Sequence, residues 1–292
     1  MRILFISRRL PHAGVTGGHV IVHQRVRRLA ERGHEVGLAC FGDEGDRARA
    51  EELRPHLREL DMVPPPEPGA WWIRAGAMIS SSVPPYFLAS RSPLLMRRVG
   101  DMVERSHYDV VVAEFSSMGQ YLFRNPYLPA VRKVVSCHFG VAASYRRTAD
   151  LLKLSVRGLG KHWSLWRGLA RYEIAMYQNV DRVLTLTAKD RYGLLSEAPN
   201  LRIDVVPAGV DADFFQPDAR VEREDSVLFT GHYEVEANRD AVRWFATRTW
   251  PLVRARHPAM KFHVVGPGGR REFRDLARRD PSVVVVDEVL AV

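Results

Sequence analysis

Four short segments carry the residue types that could do chemistry. Gly17-Gly18 follows the apolar run Arg2–Ser7 and precedes a helical pattern. Glycines there let the backbone approach a ligand, and the free N–H groups of a helix start suit a phosphate. The Gly-x-Gly-x-x-Gly spacing of a dinucleotide fingerprint is not met by Gly14-x-x-Gly17-Gly18. His138 follows the strand pattern of residues 131–137, so it should project at the carboxyl edge of a sheet. There it could hydrogen-bond or polarise a bound group near neutral pH. Gly231-His232 ends a later strand, and Asn238-Arg239 opens the helix after it, with Asn238 as its cap or Arg239 as a source of positive charge. Gly266-Pro267-Gly268-Gly269 closes the next strand, as a plain turn or as the border of a ligand.

The elements that must position these residues alternate between strand and helix. Residues 2–7, 35–41 and 62–63 read as strands, separated by an amphipathic helix over 18–32 and a charged helix over 46–58. Gly33 stops the first helix. This order implies right-handed crossovers and a parallel sheet. An irregular apolar stretch, Pro64 to Phe87, interrupts it. A helix over 92–105 and strands over 108–114 and 131–137 follow. Glu114, at the end of the first of these strands, could face the ligand side. A long helix over 151–178, a strand over 181–187, a helix over 188–196 and a strand over 202–206 complete the first unit. A polar segment with Pro217 reads as a linker. The second unit reads as strand 227–231, helix 238–256, strand 260–266, helix 270–279 and strand 282–287.

Composition excludes several classes. Of 292 residues, 46% are hydrophobic, enough for two soluble cores. No stretch approaches the roughly 18 apolar residues of a membrane span. The amino terminus enters a strand directly, without a signal pattern. Two cysteines, Cys40 and Cys137, both in apolar runs, make no disulfide framework and fit a reducing cytoplasm. The net charge of +9 comes mostly from arginines spread along the whole chain. Nucleic-acid binding would gather them on one face, so anionic substrates or an anionic membrane surface are the expected partners. His19 and His23 stand four residues apart, but no third ligand is suggested and no metal is expected. No carboxylate pair stands out as the acid and base of a hydrolase.

Taken in order, Gly17-Gly18, His138, Val206-Pro-Ala-Gly-Val-Asp211, Val227-Leu-Phe-Thr-Gly231, Asn238-Arg-Asp-Ala-Val-Arg-Trp-Phe245 and Phe262-His-Val-Val-Gly266 resemble the family 4 glycosyltransferases of the GT-B fold. Cys40-Phe-Gly-Asp43, Ser116-Ser117-Met118 and the Asn238 helix look most like the sugar transferases of exosortase and exopolysaccharide loci. The resemblance implies two Rossmann-like doubly wound α/β domains facing a cleft: residues 1–215 on the acceptor side, a linker at 216–225, and a nucleotide-sugar-binding domain at 226–292. It implies retaining transfer from a nucleotide-sugar to a glycan or polyprenyl-linked acceptor, usually without a metal. By the same resemblance His138 contacts the transferred sugar, and the Gly17-Gly18 loop lies near the donor phosphate. Residues around Gly231 hold the diphosphate, and Gly266 borders the base. Where the family usually carries Arg and then Lys, this chain has His232 and no lysine, leaving Arg239 as the nearby charge. The family's two-glutamate helix does not occur before Val292, so the second domain is expected to be incomplete and the chain to have weak activity or none. The basic, leucine- and tryptophan-rich helix 151–178 and the Pro64 to Phe87 stretch are candidates for peripheral membrane contact. A non-catalytic glycan- or nucleotide-sugar-binding protein is the alternative. A nucleotide-sugar epimerase is a third reading, though it would need more acid and base groups.

Overall fold

The computed structural model describes residues 1–12, 17–66, 83–138, 140–141, 156–213, 215–216 and 224–287, with the side chains of 156–165 excepted. Gly14, most of the Pro64 to Phe87 stretch and the start of the expected 151–178 helix lie outside the described residues. Two compact units emerge, Met1–Val210 and Asp211–Val292. The expected first domain ran to residue 215. Among the described residues, the Val206 N–H still donates to the Thr185 carbonyl as the chain leaves the first sheet.

In the first unit, β1 (Arg2–Ser7) is a central strand, paired in parallel with β2 (Glu35–Phe41) on one side and β4 (Val110–Glu114) on the other. A strand covered on both faces needs a continuous apolar run, and Ile3, Leu4, Phe5 and Ile6 supply it. Alternation sends these side chains to opposite faces. Leu4 and Ile6 join the core that includes Val99 and Met176, while Ile3 and Phe5 join the one that includes Val22 and Leu53. The full order is β3-β2-β1-β4-β5-β6-β7, with β3 at Glu59–Val63, β5 at Arg132–Cys137, β6 at Arg182–Thr185 and β7 at Ile203–Val205. Every pairing is parallel. The chain winds outward from β1 to β3, returns to β4 and winds the other way. The turning point lies between β1 and β4, where such sheets bind ligands beyond the strands' carboxyl ends.

Helix α1 (Gly18–Glu31) covers one face through Val22 and Val26, followed by α2 (Glu44–Leu53). The latter stops well short of residue 58. Pro55 forces a 3-10 turn at Arg54–His56, and β3 gains three residues over the expected strand. On the other face lie the short α3 (Pro85–Leu88), α4 (Pro93–Ser106) and α5 (Val156–Gln178); α6 (Ala188–Glu197) precedes β7. The Ser92 side chain caps α4, and the Thr187 side chain caps α6.

The second unit has a three-stranded parallel sheet, β10-β9-β8, from β8 (Ser226–Thr230), β9 (Lys261–Val265) and β10 (Val283–Val286). The expected single helix over 238–256 is instead α7 (Glu236–Trp244), a π turn (Phe245–Thr249) and α8 (Trp250–Arg256). Pro251 cannot donate a backbone hydrogen bond, and the widened turn precedes it. Helix α9 (Gly269–Arg279) completes the unit. Its core joins Trp250, Phe262, Phe273 and Val264, with the Trp250 indole N–H donating to the Ser282 hydroxyl at 3.0 Å.

Phe262 is fully buried between Phe245 and Trp250. Phe262→Ala is expected to cost about 3–5 kcal/mol in the second unit. Hydrogen exchange should accelerate across β8, β9 and β10 while the amides of β1 and β4 keep their protection.

Candidate active site

The carboxyl ends of β1, β4 and β5 converge on one buried cluster. Glu114, the last residue of β4, is completely buried. Its carboxylate takes hydrogen bonds from Arg25 Nη1 at 2.9 and 3.1 Å, and Nη1 also reaches the Ser136 hydroxyl at 2.6 Å. The same carboxylate meets His138 Nε2 at 2.9 Å. Burial alone would raise the Glu114 carboxyl. The hydrogen bond from His138 and the charge of Arg25 outweigh it, and the group is held below the usual carboxylate range. Arg25 lies on the inward stripe of α1, three residues after Val22 and next to Val26.

The imidazole of His138 is fixed from two further sides. Phe115 stacks on it, ring centroids 4.2 Å apart and planes 26° apart. Phe115 is held at φ 72°, a conformation non-glycine residues avoid, while its N–H donates to the Ser136 carbonyl. Strain of this kind gathers at functional sites. Gly18 packs directly against the edges of both rings. A Cβ there would stand 2.6 Å from Phe115 Cε1 and 2.8 Å from His138 Nδ1. Glycine is therefore required at position 18, by contact with the histidine rather than by turn geometry. Gly17, at φ 69°, precedes it as the N-cap residue, and α1 has no side-chain cap and no acidic residue in its first turn. Its N–H groups favour an anion.

His19 packs its ring 4.9 Å from Phe115. Burial, and next the charge of Arg9, push it down to about 4. Arg8 and Arg9 are exposed just past β1, next to this helix start. His23 instead faces Glu52 at 3.7 Å, so the two histidines do not share a site. Among the described residues no group of three or more His, Cys, Asp or Glu is arranged to hold a metal ion.

A small concavity lined by Tyr86, Phe115, Ser116, His138 and Val141 opens beside the histidine. A second buried network fixes its wall. The Ser116 and Tyr177 hydroxyls are 2.7 Å apart, Tyr177 donates to Glu173, and the Val141 N–H donates to the same carboxylate oxygen. Burial pushes the neighbouring Cys137 thiol up to about 12, so it is no nucleophile.

In the second unit, Gly231 and Gly266 meet each other. Gly266 has φ 143°, and a Cβ on it would lie 1.9 Å from the Gly231 carbonyl oxygen. Asn238 is not the cap of α7. That position is Val235, two residues after Tyr233, and Asn238 donates instead to the His232 carbonyl at 3.0 Å. Arg239 is engaged by Glu236 and reaches the Tyr233 carbonyl, so its charge is largely balanced locally. The first turn of α9 receives the Asp287 carboxylate at the Arg270 N–H.

Sequence reasoning found Gly17, Gly18 and His138, which the fold brings together. It missed Arg25 and Phe115, and did not pair Glu114 with His138. One signal was present: a charged residue on the apolar stripe of α1 and another ending the run Val110–Glu114 each ask for a buried partner.

The chain belongs to Glycosyltransferase Family 4, whose profile matches residues 15–214, well over half its length. Its fold is GT-B. Among solved structures it is similar to sucrose-phosphate synthase from Thermosynechococcus elongatus, with 14% identity, TM-score 0.60, and coverage of 99% of this chain and 70% of that one. Anabaena HepE, solved with UDP-glucose, gives 13% identity, TM-score 0.59, and coverage of 99% and 70%. A TarM variant from S. aureus, solved with UDP, Fondaparinux and alpha-GlcNAc-glycerol, gives 10%, 0.61, and coverage of 98% and 77%. No curated protein matches the chain. No described helix is long and apolar enough to cross a membrane.

Gly18→Ala is expected to lower stability by about 1–3 kcal/mol, because Phe115 and His138 must both move; urea denaturation reads this directly. His19 should make the protein acid-sensitive. Its folded pKa of about 4 lies below the ordinary histidine value of 6.5, so its contribution is complete above 6.5 and is lost as pH falls towards 4. His19→Gln should flatten the decline of the urea midpoint across that window, although His12 and His23, also lowered, keep part of it.

Proposed function

We propose that this fold serves a retaining glycosyltransferase that moves a sugar from a nucleotide-sugar donor to a glycan or polyprenyl-linked acceptor, in exopolysaccharide or cell-envelope glycan synthesis. The observation that carries the reading is His138, held by Glu114 and packed on Gly18, at the carboxyl ends of the central strands. In this reading the sugar lies against His138. The first turn of α1, with Arg8 and Arg9 near it, stabilises negative charge as the bond from the anomeric carbon to the phosphate oxygen breaks. The acceptor oxygen forms its bond on the same face of the sugar and passes its proton to the phosphate oxygen of the departing nucleoside diphosphate. The concavity beside Tyr86 and Val141 takes part of the acceptor. The second unit binds the nucleotide around Gly231, His232 and Gly266. No metal is required, and arginine supplies the counter-charge. The solved relatives that carry UDP-glucose, or UDP with a glycan, support this choice of ligands.

One observation favours a second reading, a non-catalytic nucleotide-sugar-binding protein. The second unit offers His232 where a free cation would serve a leaving diphosphate, and Arg239 is bound to Glu236.

Incubating the protein with UDP-glucose and an oligosaccharide acceptor, and following glycoside formation by mass spectrometry and NMR, separates the two. Weak transfer is expected, with the donor's anomeric configuration retained. His138→Ala should reduce kcat/KM by roughly 10²-fold or more without lowering the unfolding midpoint to a matching degree. Binding of UDP-glucose without transfer would favour the second reading, and an inverted product would exclude the retaining mechanism.

A further inference from the structure

The Glu114 carboxylate is a hydrogen-bond acceptor only, since it is held ionised by Arg25 and by its bond to the histidine. The 2.9 Å contact with His138 therefore requires a hydrogen on Nε2. Arg25 already balances the carboxylate's charge, so the buried trio is neutral only when the imidazole is neutral. A neutral imidazole with hydrogen on Nε2 has a lone pair on Nδ1. That atom is buried and has no hydrogen-bond partner among the described residues. It lies against Gly18, at the open first turn of α1.

We propose that Glu114, backed by Arg25, is a positioning residue for the transfer reaction: it fixes His138 in the Nε2-protonated tautomer and leaves Nδ1 as the acceptor for a substrate hydroxyl. This rests on the transferase reading above. The device has three parts, each from a different element. Glu114 at the end of β4 selects the tautomer. Arg25 from α1 keeps the carboxylate ionised. Phe115 and Gly18 hold the ring plane so that the lone pair keeps one direction. A glutamine at position 114 would reverse the arrangement. With its carbonyl at the shorter of the two Arg25 contacts, 2.9 Å, its amide N–H groups would face Nε2, which must then accept, and the hydrogen would move to Nδ1.

The test is a long-range ¹H–¹⁵N correlation spectrum of histidine-labelled full chain, with His138 assigned by its loss in His138→Gln. The wild-type protein should show hydrogen on Nε2 and none on Nδ1. Glu114→Gln should move it to Nδ1 and cut kcat roughly 10²–10⁴-fold, with the KM for UDP-glucose changed by less than about threefold. Glu114→Asp, which keeps an acceptor-only group, should restore the wild-type pattern; it also serves if the glutamine variant does not fold. Hydrogen on Nδ1, or on both nitrogens, in the wild-type protein overturns the proposal, as does an unchanged tautomer in folded Glu114→Gln. Adding UDP-glucose should shift the Nδ1 resonance. Binding without that shift overturns the substrate contact. Failure to bind at all defeats the transferase reading, and the substrate contact with it, while the tautomer result stands on the free protein.

Discussion

A carboxylate sealed from water at the end of a parallel strand is the constraint around which the first unit is arranged. An isolated buried charge is strongly unfavourable, so Glu114 needs compensation from both sides. Arg25 supplies it from α1 and His138 from the end of β5. The three groups fasten a helix and two adjacent strands at the point where the sheet reverses its winding. Removing Arg25 would leave a buried charge uncompensated, which costs more than the pair is worth as simple attraction. The same constraint sets the histidine's orientation, so a structural requirement and a chemical one meet in one side chain.

Close approach is the second theme, and both units use it. Gly18 lets α1 lie on the rings of Phe115 and His138, and Gly266 lets one strand-end turn lie on the carbonyl of Gly231. A methyl group at either position would drive the two elements apart. In the first unit the contact places a helix start, with its partial positive charge, beside a polarisable ring. In the second it brings the carboxyl ends of β8 and β9 together, the region in which such sheets bind their ligands.

Charge distribution separates the two units. The first presents Arg8 and Arg9 in the open, next to an uncapped helix. The second has Arg239 paired with Glu236 and the Arg270 N–H donating to Asp287, while the side chains of Arg270 and Arg271 are exposed after the Gly266–Gly269 turn. The net positive charge of the chain therefore does not act evenly.

Most of the strand and helix order was legible in the sequence, because apolar periodicity reports burial directly. Ile3 to Ile6 had to be a two-sided strand, and Val22 with Val26 a helix face. Glycine after a strand marked the ligand side, and His138 stood out as a polar residue ending an apolar run. Local sequence did not reveal how backbone donors would be shared. The π turn ahead of Pro251 and the loss of Asn238 as a cap depend on which carbonyl lies nearest in the folded chain. Tertiary structure alone decided the partners of buried charge. Arg25, Glu114 and His138 are separated by 89 and 24 residues, and only the β1, β4, β5 neighbourhood puts them within hydrogen-bond reach. Periodicity determines which face of an element turns inward. The choice of which inward polar groups meet is made by strand order and register, and those are properties of the whole sheet.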